Sequence, residues 1–260
     1  MKSVGRYAVM GNPIVHSLSP LIHQQFARDV GVCIEYERIL VESNFQRHVH
    51  LFFQQGGLGL NITAPFKEQA FKMSEIRTAR CQRAGAANTL WMKEGMLHAD
   101  NTDGIGLCRV LGNVSGARIL ILGAGGAARG IIPALQDKGA CVTLANRTHE
   151  HAQRLSLTFE NIGVISFDEE VSDFEFVINT TGKNLEFGAL PRAWLAQKPY
   201  CYDLTYHPEE NTPFMHWANS HGCQASDGFS MLVEQAREAF AIWHGVFPLS
   251  PGKKSVLLRH

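Results

Sequence analysis

Two features of this chain pair residue type with spacing closely enough to name a chemistry. The first is Gly123-Ala124-Gly125-Gly126-Ala127-Ala128, directly after the apolar run Ile119-Leu120-Ile121-Leu122. A strand that turns into a helix through G-x-G-x-x-A suits a dinucleotide. Gly123 permits the tight turn, Gly125 lets the backbone approach a pyrophosphate, and Ala128 allows close helix–strand packing. The helix start at Gly126 and Ala127 offers free amides and the positive end of its dipole to phosphates. The second feature is the end of the following strand, Ala145-Asn146-Arg147-Thr148. An NAD site places a carboxylate there for the ribose 2′-hydroxyl. None is present, and Glu150 falls within the next helix. Arg147 supplies a planar cation suited to a 2′-phosphate, and Asn146 and Thr148 add neutral hydrogen bonds. The expected cofactor is NADP(H).

The first half of the chain carries polar residues at three strand ends. Ser17 and Ser19 flank Leu18 just before Pro20, where Ser19 reads as a helix cap and Ser17 has no evident structural task. Asn61 and Thr63 share one side of a strand by two-residue alternation, and Lys67 follows one turn into the next element. Taken alone, Lys67 reads as a surface lysine. The third group is Asn88-Thr89 and then Asp100-Asn101-Thr102-Asp103, with Asp103 placed to cap a helix. No hydrolase triad or paired-carboxylate arrangement stands out.

These residues need elements to hold them. Strands are expected at 6–10, 33–40, 59–63, 118–122, 141–145, 174–178 and 200–204. Helices are expected at 20–29, 43–54, 105–111, 127–137, 149–159 and 229–243. A hairpin at 87–97 turns near Lys93-Glu94-Gly95. Two successive strand–helix alternations predict an α/β protein of two lobes joined near Asn101–Gly104. The 260 residues suffice for two domains.

Composition narrows the class. Lys+Arg and Asp+Glu are 24 each, so the formal net charge is zero. That balance disfavours a nucleic-acid partner or a polybasic membrane anchor. The six cysteines are scattered without a CxxC pair, which suggests free thiols in a reducing compartment. The twelve histidines show no ligand spacing, so no metal site is expected. With no apolar leader at Met1–Arg6 and no unbroken apolar span, the expectation is a cytoplasmic protein.

The whole set of motifs resembles shikimate dehydrogenase. Gly11-Asn12-Pro13 with His16-Ser17-Leu18-Ser19-Pro20 and Asn61-Ile62-Thr63-Ala64-Pro65-Phe66-Lys67 carry the likeness. So do Gly85-Ala86-Ala87-Asn88-Thr89, Asp100–Gly104, Gly123–Ala128 and Asn146-Arg147-Thr148. Tyr202-Asp203-Leu204-Thr205-Tyr206 and Asp227-Gly228 leading into Met231–Ala236 complete it. They occur in family order over nearly the whole chain.

The resemblance implies an N-terminal α/β substrate domain at 1–102, rejoined by 229–260. It also implies a Rossmann-type NADP-binding domain at 103–228, with a cleft between the two. The reaction implied is NADPH-dependent reduction of 3-dehydroshikimate to shikimate, in the route to aromatic amino acids. Ser17 and Ser19 then contact the substrate carboxylate, with Tyr206 near that end. Asn61, Thr63, Asn88, Asp103 and Gln235 bind the ring hydroxyls. Lys67 and Asp103 form the catalytic pair, and Leu204, Gly228 and Met231 lie beside the nicotinamide.

Three positions depart from the family pattern: the loop Asn179-Thr180-Thr181-Gly182-Lys183-Asn184, Ser230 where glycine is common, and His151 where a second basic residue often stands. The rivals are a quinate/shikimate dehydrogenase using NAD, another two-lobe NADP oxidoreductase, and a non-catalytic sensor on the same fold. The missing acid at Asn146 disfavours the first, the paired serines and the Asn61–Lys67 motif the second, and intact Lys67 and Asp103 the third. Monomer and homodimer both remain open.

Overall fold

A computed structural model describes residues 4–182, 185–207 and 209–250. Two compact units divide the chain. One runs as far as Arg109 and resumes at Leu232; the other is Val110–Met231. Both divisions fall inside helices, a few residues beyond the boundaries expected at 102/103 and 228/229.

The first unit contains β1 (Gly5–Gly11), α1 (Ser19–Val30), β2 (Ile34–Leu40), α2 (Phe45–Gln54), β3 (Gly57–Ile62) and α3 (Lys67–Met73). It continues with β4 (Ile76–Arg77), α4 (Ala79–Ala84), β5 (Thr89–Lys93) and β6 (Met96–Asp100), and α5 (Asp103–Leu111) leads out of it. The sheet order is β2-β1-β3-β5-β6-β4, with β1 parallel to both neighbours and β5 antiparallel to both of its own. Central β1 buries Ala8, Val9 and Met10. Edge strand β2 buries Tyr36 between exposed Glu35 and Glu37, charges that discourage pairing with another chain. Phe45, Val49 and Phe52 of α2 are buried as their spacing predicts, and Phe45 stacks on Phe66 with ring centroids 4.8 Å apart. Each such side chain contributes roughly 1.5–3 kcal/mol. The β5–β6 hairpin turns on Glu94 and Gly95 at φ 53° and 77°, the left-handed pair of a two-residue loop.

The second unit holds β7 (Arg118–Leu122), α6 (Gly126–Asp137), β8 (Cys141–Ala145), α7 (His149–Ser156), β9 (Gly163–Ile165) and β10 (Phe176–Asn179). It ends with β11 (Tyr200–Asp203), α8 (Pro213–Ser220) and β12 (Ala225–Ser226). All pairings in its sheet are parallel, in the order β12-β11-β10-β7-β8-β9. Counted from β7, this is the 3-2-1-4-5-6 order of dinucleotide-binding sheets. Ile119 to Leu122 are fully buried, as a strand with both faces covered requires. α7 stops at Ser156, short of the expected Phe159. There the Ser156 and Thr158 hydroxyls donate to the carbonyls of Gln153 and Leu155, so side chains satisfy acceptors of the last turn.

α9 (Phe229–His244) returns the chain to the first unit. Its buried face there is Val233, Ala236, Ala239 and Phe240, while Leu232 is only half-buried. Gly59 on β3 admits the Trp243 ring: a Cβ at Gly59 would sit 2.4 Å from it. Trp243 also packs on Tyr7, with centroids 5.0 Å apart.

Candidate active site

The first unit brings four of the expected residues into one buried cluster. Lys67 opens α3 and Asp103 opens α5, and Lys67 Nζ donates to Asp103 Oδ2 at 2.6 Å. The side chains are 14% and 6% exposed, so the pair is shielded yet reachable. Asn88 Nδ2 donates to the other carboxylate oxygen, Asp103 Oδ1, at 2.8 Å, and also approaches Thr102 Oγ1 at 2.9 Å and Gln235 Oε1 at 3.2 Å. Asn88 Oδ1 accepts the Thr102 N–H at 2.9 Å. The Asp103 side chain is therefore engaged by Lys67 and Asn88, and the expected helix cap is not its task. The turn before α5 is held by Asp100, a buried carboxylate gripped by two Arg80 nitrogens at 2.8 and 2.7 Å.

Ser17 and Ser19 lie together, but their structural parts differ from expectation. Ser19 is the first residue of α1 and makes no capping bond; Leu18 holds the cap position. Ser17 Oγ accepts the Ser19 N–H at 3.3 Å, and its hydroxyl donates to Ser19 Oγ at 3.2 Å. Asn61 is buried; its Nδ2 donates to the Asn88 carbonyl at 3.2 Å and its Oδ1 accepts the Tyr36 hydroxyl at 2.7 Å. Thr63 is half-buried, and Gly11 makes room for it: a Cβ there would lie 2.2 Å from Thr63 Cγ2.

The second unit carries the glycine turn. Gly123 has φ 109°, and a Cβ on it would stand 2.5 Å from Thr180 Oγ1. A Cβ at Gly125, the N-cap of α6, would meet open space, and Ala128 is fully buried. A pocket of about 360 Å³ opens here, lined by Gly123, Ala124, Gly125, Asn146, Arg147 and Thr181, with Phe167 and Leu185 as apolar walls. Arg147 is exposed, and among the described residues none pairs with its guanidinium. Asn146 spends its amide on the Thr148 carbonyl at 2.8 Å, while Thr148, the N-cap of α7, leaves its hydroxyl uncommitted to capping. Cradle, open glycine and free cation together fit a pyrophosphate with an added 2′-phosphate.

Elsewhere in the same unit, Gly228 lies where a Cβ would be 2.2 Å from the Leu204 carbonyl oxygen. The Met231 N–H donates to Tyr202 Oη at 3.2 Å. Leu204, Gly228 and Met231 thus gather around the end of β11. Burial raises the carboxyl pKa of nearby Asp203, which accepts hydrogen bonds from Asn179 and Thr205.

The expected residues therefore fall in two groups. Ser17, Ser19, Asn61, Thr63, Lys67, Asn88, Asp103 and Gln235 belong to the first unit. Gly123 to Ala127, Asn146 to Thr148, Leu204, Gly228 and Met231 belong to the second. Tyr206 belongs to the second as well. Of the variant loop, Thr180 and Thr181 line the pocket; Lys183 and Asn184 lie outside the described residues. Sequence reasoning missed Phe167, Leu185 and Tyr36, none of which sits in a pattern that marks it. Among the described residues no cluster of His, Cys, Asp or Glu could hold a metal ion.

A parallel 3-2-1-4-5-6 sheet with a glycine turn at its switch point in one unit, and a lysine–carboxylate pair in the other α/β unit of the same chain, define a class: two-unit dinucleotide-dependent oxidoreductases. A family model described as the shikimate dehydrogenase substrate binding domain matches residues 9–90, and one described as shikimate / quinate 5-dehydrogenase matches 107–187. The shikimate dehydrogenase (NADP+) of Legionella pneumophila is 50% identical over 250 residues, covering 94% of each chain. That of Alkalilimnicola ehrlichii is 48% identical over 258 residues, covering 94% of this chain and 95% of its own. The crystal structure of shikimate 5-dehydrogenase from Thermus thermophilus in complex with NADP(H) and shikimate superposes with a TM-score of 0.85. It is 29% identical, with 98% of this chain and 99% of that one covered. The chain belongs to the shikimate dehydrogenase family.

Proposed function

We propose that this chain interconverts 3-dehydroshikimate and shikimate with NADPH and NADP⁺, in the route to aromatic amino acids. The observation that carries the reading is the shielded Lys67–Asp103 pair at 2.6 Å, tied through Asn88 to Gln235. When bound, the nicotinamide supplies or accepts the hydride at C3 of the substrate. As charge grows on the C3 oxygen, the Lys67 ammonium stabilises it and donates the proton; in the oxidising direction the lysine takes the proton back. Asp103 aims the ammonium group and receives the neighbouring hydroxyl. General acid help of this kind is typically worth about 10²–10⁴-fold.

Ser17 and Ser19 hold the substrate carboxylate. Asn61, Thr63, Asn88, Asp103 and Gln235 hold the ring hydroxyls, and Tyr206 serves the carboxylate end. Gly123 to Ala127 receive the pyrophosphate, Arg147 with Asn146 and Thr148 the 2′-phosphate, and Leu204, Gly228 and Met231 flank the nicotinamide. The substrate domain is 1–102 with 229–260, and the NADP-binding domain is 103–228.

No helix among the described residues is long and apolar enough to cross a membrane. All six cysteines are free, which supports a cytoplasmic location. The balanced charge supports small molecules as the only ligands, with the enzyme acting as monomer or homodimer. Steady-state rates with shikimate against quinate, and with NADP⁺ against NAD⁺, test the assignment. Shikimate with NADP⁺ is expected to give the highest kcat/KM; faster turnover of quinate with NAD⁺ would overturn it.

A further inference from the structure

A chain of hydrogen bonds runs from Tyr36 to the lysine. The phenol O–H donates to Asn61 Oδ1 at 2.7 Å. Asn61 Nδ2 reaches the Asn88 carbonyl and Thr89 Oγ1, and the Asn88 side chain reaches Asp103, the partner of Lys67.

Tyr36 is 5% exposed, with its ring stacked on His23 at 4.4 Å between centroids and 15° between planes. Its O–H is committed to Asn61, which suits a support and not a substrate ligand.

We propose that Tyr36 is a positioning residue that sets the amide orientation of Asn61, and through it the hydroxyl end of the substrate site. With Oδ1 taken by the phenol, Asn61 must turn Nδ2 toward Asn88 and Thr89. Reversing the amide would set its hydrogens against the phenol hydrogen in a buried site, where an unmade hydrogen bond is costly. Fixing the Asn61 amide before the substrate arrives leaves less ordering for the binding step. The proposal rests on the substrate assignment above.

Tyr36→Phe keeps the stacked ring and removes only the hydroxyl. The Kd of shikimate, by calorimetry, and its KM are expected to rise about tenfold. The kcat and the KM for NADP⁺ should stay within about twofold. In an Asn61→Ala background the same change should cost less than about threefold, because the partner of the phenol is already gone. Unchanged shikimate affinity in a folded Tyr36→Phe protein overturns the proposal, as does a full tenfold loss in the Asn61→Ala background. A readout that needs no deletion is 3-fluorotyrosine at position 36. Its fluorine resonance should move on adding shikimate and hold still with NADP⁺ alone; a signal unmoved by shikimate overturns the proposal. If the wild-type protein itself binds no shikimate, the substrate assignment fails first, and that outcome is distinct from wild-type binding that Tyr36→Phe leaves unaltered.

Discussion

Asp103 divides its two oxygens between Lys67 and Asn88, and that division makes an ordinary lysine into a directed proton donor. In sequence, Lys67 reads as a surface residue and Asp103 as a cap, because contacts made across 36 positions leave no local trace. The serines show the same blindness in reverse: Ser19 has the spacing of a cap, yet the Ser17 oxygen takes the amide. Ser17→Ala therefore has two separable effects. The lost helix-start bond lowers stability by about 0.5–2 kcal/mol in a denaturant melt. The lost hydroxyl weakens shikimate binding, read by calorimetry well below the unfolding temperature; unchanged affinity would remove Ser17 from the site. Arg147, by contrast, is legible from its position after the strand, and none of the described residues pairs with its guanidinium. Arg147→Ala should raise KM for NADPH tenfold or more while NADH use changes little. Equal loss with both cofactors would deny it the 2′-phosphate.

Elements bring these residues within reach, and their packing is where small residues matter. α5 crosses α9 at Gly106, where a Cβ would lie 2.8 Å from the Gln235 backbone nitrogen. Gly106→Ala must push that turn of α9 outward and carry Gln235 away from Asn88. A several-fold rise in shikimate KM is expected, with a stability loss of about 1–3 kcal/mol by chemical denaturation. A wild-type KM would show that Gln235 needs no such placement. Arg80 does related work from α4 by holding Asp100 and Glu238 at once. Elements with a clear period or turn signal, such as α2, the β5–β6 hairpin and the β7–α6 glycine turn, were legible in sequence. β4, β9 and β12 were not: two or three residues carry no period, and pairing to an existing sheet makes them strands.

For the whole molecule, zero net charge leaves recognition of anionic ligands to a few placed donors. Stability carries its own pH dependence through His23, which is fully buried among Tyr36, Phe26, Phe240 and Trp243. Burial, then the nearby His244, push its pKa down to about 3, with Asn61 opposing. Neither ring nitrogen completes a hydrogen bond of normal geometry. A folded-state pKa below the unfolded value of about 6.5 means the unfolded chain binds the extra proton first. Stability should thus fall as pH drops from about 6.5 toward about 3, and His23→Phe should remove part of that slope in melts across the range. An identical slope in the variant would assign acid sensitivity to other groups. The central claim is that the shielded lysine moves the proton in a shikimate–NADP⁺ reaction. It is tested most directly by following NADPH absorbance as shikimate and NADP⁺ are mixed with the wild-type protein and with Lys67→Ala. The wild type should form NADPH steadily, and the variant should show a kcat lowered about 10²-fold or more with shikimate still bound. Turnover by Lys67→Ala near the wild-type rate would contradict it.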